Sequence, residues 1–176
     1  MKIKRLFFML FIVVFSFSFV HAQGPEYYKG TFIISPAVGF NTYTIPFGAT
    51  AEFGITDNIG IGGTAMFWFW GDSYWSNSLM SFSVDGSYHL TSIDVKKLDL
   101  FGGAGIGFSI YSWSWKSGYS GISGGSTGSG GLFIYPFFGA RYFFSPKIAA
   151  FARLSFHLLG DWGGVGGIGG VSIRLK

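Results

Sequence analysis

The 176-residue sequence contains no cysteine. That excludes a disulfide framework and any thiolate metal site, and it is compatible with export. Charge is scarce as well: Asp, Glu, Lys and Arg make up 11% of the chain, against about 25% in soluble domains. Such a chain cannot clothe an ordinary water-facing surface. Long apolar runs are missing too. Beyond residue 22 no stretch approaches the ~18 apolar residues that a spanning helix needs, so helical crossing of a membrane is excluded.

What is abundant is equally informative. Hydrophobic residues reach 49% and aromatics 21%, and there are 29 glycines. A chain this apolar, without spanning helices, satisfies its backbone in hydrocarbon only as a closed barrel. The first residues are set apart. Met1-Lys2-Ile3-Lys4-Arg5 is a basic start, Leu6–Val20 an apolar core, and Val20-His21-Ala22 a small-residue cleavage site. This is the pattern of a signal peptide, expected to be cleaved after Ala22 and to remove His21 with it. Its loss takes the basic residues from 12 to 9 against 8 acids, a net charge of +1. Nucleic-acid binding therefore has no support from charge.

The remainder reads as residues 23–29, a polar periplasmic lead-in, and residues 30–176, strand after strand. From Ile148 to Leu158, Ile148, Ala150, Ala152, Leu154, Phe156 and Leu158 share one face, and Ala149, Phe151, Arg153, Ser155 and His157 the other. This is period-two alternation, over the ~9–11 residues that a tilted strand needs to cross a bilayer. Seven more runs follow the same rule: Gly30–Phe40, Ile45–Ile55, Ile59–Trp70, Ser78–Leu90, Leu98–Tyr111, Gly131–Phe144 and Val165–Leu175. Alternation does not assign Met66-Phe67-Trp68-Phe69-Trp70, which is apolar on both faces. The expected fold is all-β, an eight-stranded antiparallel up-and-down transmembrane β-barrel.

The connections fall into two sets. Thr56–Asn58, Thr91–Lys97 and Ser145–Lys147 form one; Asn41–Thr44, Gly71–Asn77, Ser112–Gly130 and Gly160–Gly164 form the other. Short periplasmic turns and longer outer loops are the rule for outer-membrane barrels. Both termini then fall in the periplasm, and the Gly/Ser-rich stretch Ser112–Gly130 is a mobile outer loop. Trp68, Trp70, Trp75, Trp113, Trp115 and Trp162 all fall at or beyond outer strand ends, where an interfacial aromatic belt is expected.

Side-chain size orients the faces. The polar faces are mostly Gly, Ser, Thr and Ala, suited to a crowded lining; the apolar faces are Phe, Ile, Leu and Val, suited to a roomy exterior in lipid. Gly54-Ile55-Thr56-Asp57-Asn58-Ile59-Gly60 and Gly139-Ala140-Arg141-Tyr142-Phe143-Phe144-Ser145-Pro146-Lys147 each read as strand, short turn and next strand. They resemble the small eight-stranded outer-membrane barrels of the OmpA-barrel, OmpX and opacity-protein kind. That resemblance implies a bacterial outer-membrane location in a Gram-negative cell, contact with lipid and lipopolysaccharide, insertion by the barrel-assembly machinery, and a monomer. The family commonly ends in an aromatic residue; here the last strand ends Val171-Ser172-Ile173-Arg174-Leu175-Lys176. A peptidoglycan-binding domain is not expected.

With the apolar faces outward, Glu52, Asp85, Asp99, Arg141, Arg153 and Arg174 all point into the lumen, as do His89 and His157. On the lipid face a mid-bilayer Arg would cost about 2–4 kcal/mol. A buried layer of Glu52, Arg141, Arg153 and Asp85 is expected to plug the lumen, with Asp99 and Arg174 nearer the periplasmic rim. A barrel filled in this way has no continuous water channel, so porin activity is not expected.

Enzymatic chemistry finds little footing. Arg153, Phe156 and His157 resemble the strand that carries the catalytic histidine of lipid A deacylases, but the serine which that family needs two residues on is Leu159 here. His89 and His157 sit near opposite strand ends, too far apart for a shared metal. Gly102–Gly107 and Gly163–Gly170 lack the strand–turn–helix context of a phosphate loop and read as strand glycines. No catalytic, cofactor or metal residue is expected. The reading is a structural or surface-interactive barrel, serving envelope integrity or adhesion through outer loops, with a host or surface ligand held by Ser112–Gly130. The alternatives are a small-ligand- or lipid-binding barrel and, behind it, a lipid A-modifying enzyme.

Overall fold

The computed structural model describes residues 27–40, 45–90, 97–115, 127–159 and 164–176. The signal segment, most of the lead-in, Trp162 and the connections at 41–44, 91–96, 116–126 and 160–163 lie outside the described residues. Eight strands follow in order: β1 (Phe32–Phe40), β2 (Phe47–Gly54), β3 (Ile59–Gly71), β4 (Trp75–His89), β5 (Leu98–Trp115), β6 (Thr127–Phe143), β7 (Ile148–His157) and β8 (Gly164–Arg174). Each pairs antiparallel with its predecessor, and β8 closes the barrel on β1. Closure leaves no sheet edge to be capped. At the seam, Ser35 Oγ and Ser172 Oγ share a buried hydrogen bond of 2.7 Å.

Two turns are locked by hydroxyls. Thr56 Oγ1 accepts from the backbone of Asn58 and Ile59, at 3.2 and 2.9 Å. Ser145 Oγ does the same for Lys147 and Ile148, at 3.3 and 3.1 Å. These tie off orphan backbone donors where the ladders stop. Both termini of the barrel, at Phe32 and Arg174, lie at this end, here termed the turn end.

At the open end the strands differ from the sequence reading. Gly71–Asn77 is not a loop: β3 and β4 pair up to Gly71↔Ser76. Asp72 Oδ1 accepts from the backbone of Tyr74 at 2.7 Å and of Trp75 at 3.2 Å, which folds the link into a tight turn. Ser112–Trp115 and Thr127–Gly130 are likewise strand, paired through Ser112↔Gly128 and Trp113↔Thr127. β4 runs beside β5 as far as Trp75↔Trp115 and gives it a ladder partner there. The regular β6–β7 ladder, by contrast, ends at Phe137↔Ser155, with one further bridge at Ile134↔Leu159. The wall of β3–β6 therefore rises above β7, β8, β1 and β2.

Every strand presents an apolar, exposed outer face, including Val38, Phe47, Ile61, Phe82, Ile106, Phe138, Leu154 and Val171. An apolar girdle of this extent is what a hydrocarbon solvent demands of a barrel. The interior holds Glu52, Asp85, Asp99, Arg141 and Arg153, but also Phe101, Phe133, Tyr135, Phe137 and Phe151. Large rings fit inside because the neighbouring strand carries glycine. A Cβ on Gly103 would stand 2.7 Å from the ring of Phe137, and one on Gly105 2.7 Å from that of Tyr135. On Gly139 it would stand 2.6 Å from the ring of Phe101. The glycines of β5 are thus the seats of the β6 rings.

Candidate functional site

The lumen is stacked in layers. Closest to the turn end, Tyr27, Ile33, Phe143 and Ala149 form an apolar plug. Tyr27 precedes the first strand in what reads as a polar lead-in, yet it is 2% exposed. Its ring stacks on that of His89, with centroids 3.4 Å apart and planes 7° apart. The Tyr27 hydroxyl, withdrawn from water and near the Glu52 carboxylate, is pushed above the ordinary phenol range and stays neutral.

The next layer is ionic. His89 Nδ1 lies 2.7 Å from Asp99 Oδ1, and His89 Nε2 lies 2.6 Å from Glu52 Oε1. An ionised carboxylate is acceptor-only, so each nitrogen donates and the ring is a cation. Arg141 bridges the same two carboxylates, donating to Glu52 Oε2 and, at 3.0 Å, to Asp99 Oδ2. Ser87 Oγ donates to Glu52. The Arg141 guanidinium lies 4.5 Å from the centroid of Phe101. Two carboxylates thus meet two cations, with no net charge left in the layer.

Above it stands a second cluster. Asp85 accepts from Arg153 at 3.2 Å, Thr64 at 2.6 Å and Ser83 at 2.9 Å, and also from the Tyr135 hydroxyl. Arg153 also donates to Thr64 Oγ1 at 3.2 Å and lies 4.8 Å from the centroid of Phe137.

The expected single layer of Glu52, Arg141, Arg153 and Asp85 is therefore two clusters. Asp99 lies in the cluster nearer the turn end, where it pairs with Arg141 directly across the β5–β6 ladder, in register Asp99↔Arg141. Arg174 lies apart at the turn end, where it donates to the Pro146 carbonyl and covers the ring of Phe143 at 5.0 Å. His89, expected to point into the lumen but not to join the ion pairs, is the hub of the lower cluster.

The open-end layer corrects the tryptophan reading. Trp68 does not belong to an interfacial belt: it is 9% exposed and packs in the lumen with Met66 and Leu79. Trp70, Tyr111 and Ile168 lie against that cluster, and Trp70 stacks on Tyr111 at 5.9 Å. Trp75 and Trp113 share strand parity with the lumen residues Leu79 and Tyr111. The interior here takes the indole of Trp68, with that of Trp70 packed against it and partly buried, while Trp75 is exposed. Trp115 is in β5, but its side chain and all of Trp162 lie outside the described residues.

His157 packs against the rings of Phe133 and Tyr135, at 5.4 and 5.2 Å. Ser155 Oγ donates to the Gly166 carbonyl at 3.4 Å, and Leu159 is exposed. Among the described residues no group of three or more His, Cys, Asp or Glu side chains has the arrangement to hold a metal ion.

No family model matches the sequence, and no curated protein does. Solved structures do. The outer membrane protein OprG from Pseudomonas aeruginosa is 12% identical with a TM-score of 0.64, over 87% of this chain and 100% of that one. Ail, the attachment invasion locus protein of Yersinia pestis, is 15% identical with a TM-score of 0.56, over 83% and 98%. The N-terminal β-barrel domain of P. aeruginosa OprF is 16% identical with a TM-score of 0.54, over 84% and 98%. With its closed ring of eight antiparallel strands, the chain has the fold of the small bacterial outer-membrane β-barrels.

Proposed function

We propose that the protein is an outer-membrane barrel that acts at its outer rim, in adhesion or envelope integrity, and conducts nothing. One observation carries this reading. The exterior is greasy around the whole ring while the interior is closed by an apolar plug and two charge-balanced clusters. A cylinder open to lipid outside and shut within offers a partner only its ends. The turn end, with both barrel termini, faces the periplasm. The other end raises the β3–β6 wall, with Trp70, Trp75, Tyr111 and Trp113, into the medium. Of the structures sharing the fold, Ail has been crystallised with the heparin analogue sucrose octasulfate, which supports an interactive rim on this type of scaffold. The signal peptide, lipopolysaccharide contact, assembly by the barrel machinery and a monomeric state belong to the same reading, and no catalytic step does.

Membrane fractionation with heat-modifiable gel mobility tests place and fold together. The protein is expected in the outer-membrane fraction, migrating faster unboiled than boiled. Planar bilayers containing it should show no stepwise conductance. Excising residues 118–126, which spares the β5–β6 ladder, should abolish surface adhesion. Intact adhesion in that variant would remove residues 118–126 from consideration as the adhesive segment.

A further inference from the structure

The open-end half of the lumen holds a cavity of about 60 Å³, lined in part by Thr64, Trp68, Ser81, Tyr135, Arg153 and His157. By the same measure one water needs about 10–15 Å³, so the space admits several waters or part of a small organic molecule. The cavity nearer the turn end, lined in part by Glu52, Asp85, Arg141 and Arg153, is about 20 Å³. It takes a single water, which suffices for the unpartnered Nε of Arg141.

Two residues lining the larger cavity carry a buried donor with no partner, Trp68 at Nε1 and Arg153 at Nε; Arg153 stands between the two cavities and lines the smaller one as well. Each side chain is about nine-tenths buried. Arg153 is held still, with one terminal nitrogen on Asp85 and the other on Thr64, both at 3.2 Å. Its remaining edge is fixed and unused. Native interiors leave few donors in this state, and a shared cavity with two of them is a site awaiting an acceptor. Asp85 does not serve, because its oxygens are already taken by Arg153, Thr64, Ser83 and Tyr135.

We propose that this cavity binds a small organic carboxylate, its oxygens accepting from Trp68 Nε1 and Arg153 Nε and its apolar body resting on the aromatic wall above. A carboxylate is acceptor-only and suits one cationic and one neutral N–H together. The wall is present: Met66, Trp68 and Leu79 form its base, with Trp70 and Tyr111 stacked beside them and half-exposed. Ligand sites of this kind combine an apolar lining with a few convergent polar groups.

The test is a titration of the purified, ¹⁵N-labelled barrel in detergent micelles with benzoate, following the indole N–H resonances. The Trp68 signal, assigned by its loss in Trp68→Phe, is expected to move saturably. Benzyl alcohol, of similar shape but uncharged, should bind at least tenfold more weakly, and so should benzoate to Arg153→Lys, in which the cation remains but the Nε donor is gone; about tenfold corresponds to one charged hydrogen bond. Ser155→Leu fills the cavity from β7 and should abolish the shift while heat-modifiable mobility is kept. The proposal fails if benzoate gives no saturable shift. It also fails if Arg153→Lys or Ser155→Leu, folded by the gel criterion, binds as well as the parent, or if inorganic phosphate binds as tightly as benzoate.

Discussion

The two halves of the lumen fill the same cylinder by opposite means. Toward the turn end, each charge has its counter-charge, an aromatic ring from outside the strands caps the cluster, and only a water-sized space remains. Toward the open end, the filling is aromatic, the cavity is larger, and two N–H groups go unanswered. The difference follows from strand composition. β2, β4 and β5 bring Glu52, His89 and Asp99 to one level, where Arg141 from β6 meets them. Higher up, β3 and β6 supply Trp68, Phe133 and Tyr135, rings that tile a wall but do not close the centre. On the proposal above, the lower half holds the barrel shut and the upper half recognises a ligand.

If that division holds, mutations should be most costly below. Arg141→Ala strands Glu52 and Asp99 around a single cation and should lower stability by about 3–5 kcal/mol, as for other broken buried pairs. Denaturant unfolding in lipid vesicles measures it; an unchanged midpoint would dissolve the distinction between the halves. Tyr27→Ala removes the ring stacked on His89 and opens the plug, for a loss of about 3 kcal/mol by the same assay. Its effect would show that a residue preceding the first strand seals the barrel. Gly105→Ala, which forces a methyl toward Tyr135 and Asp85, should cost about 1–3 kcal/mol through overpacking.

Above the clusters the penalties shrink. Trp70→Ala, at a half-exposed position on the wall, should cost about 1 kcal/mol, typical of a partly buried site. Gly86→Ala is the control. A Cβ there meets nothing within 4 Å, and the change should stay within about 0.5 kcal/mol. A Trp70→Ala loss as large as that of Arg141→Ala would mean that the upper half is load-carrying core and not a recognition surface.

Much of this barrel is legible by counting in twos. From Arg153 the count reaches Phe151 and Ser155 on the inner face and Ala152 and Leu154 on the outer, and burial follows it. The same count from Arg141 puts Phe137, Tyr135 and Phe133 inside. Bulk by itself would send these rings to lipid, but the charge phase overrides bulk because a one-residue slip would carry Arg141 outward. For Met66–Trp70 the sequence offers no charge to set the phase. Only the register Gly62↔Asp85 fixes Met66 and Trp68 inward. Strand ends were hidden for another reason: glycine and serine at 112–115 and 127–130 signal a loop locally, while a paired neighbour makes them strand.

The chain alone determined that this molecule needs hydrocarbon around it and that its few charges must meet one another inside, since scarce charge and alternating strands permit little else. Which acid meets which base, which rings share the interior and which donors are left without partners were decided by the tertiary structure. Those facts depend on the stagger between strands distant in sequence, and alternation within one strand carries no information about the height at which its neighbour stands.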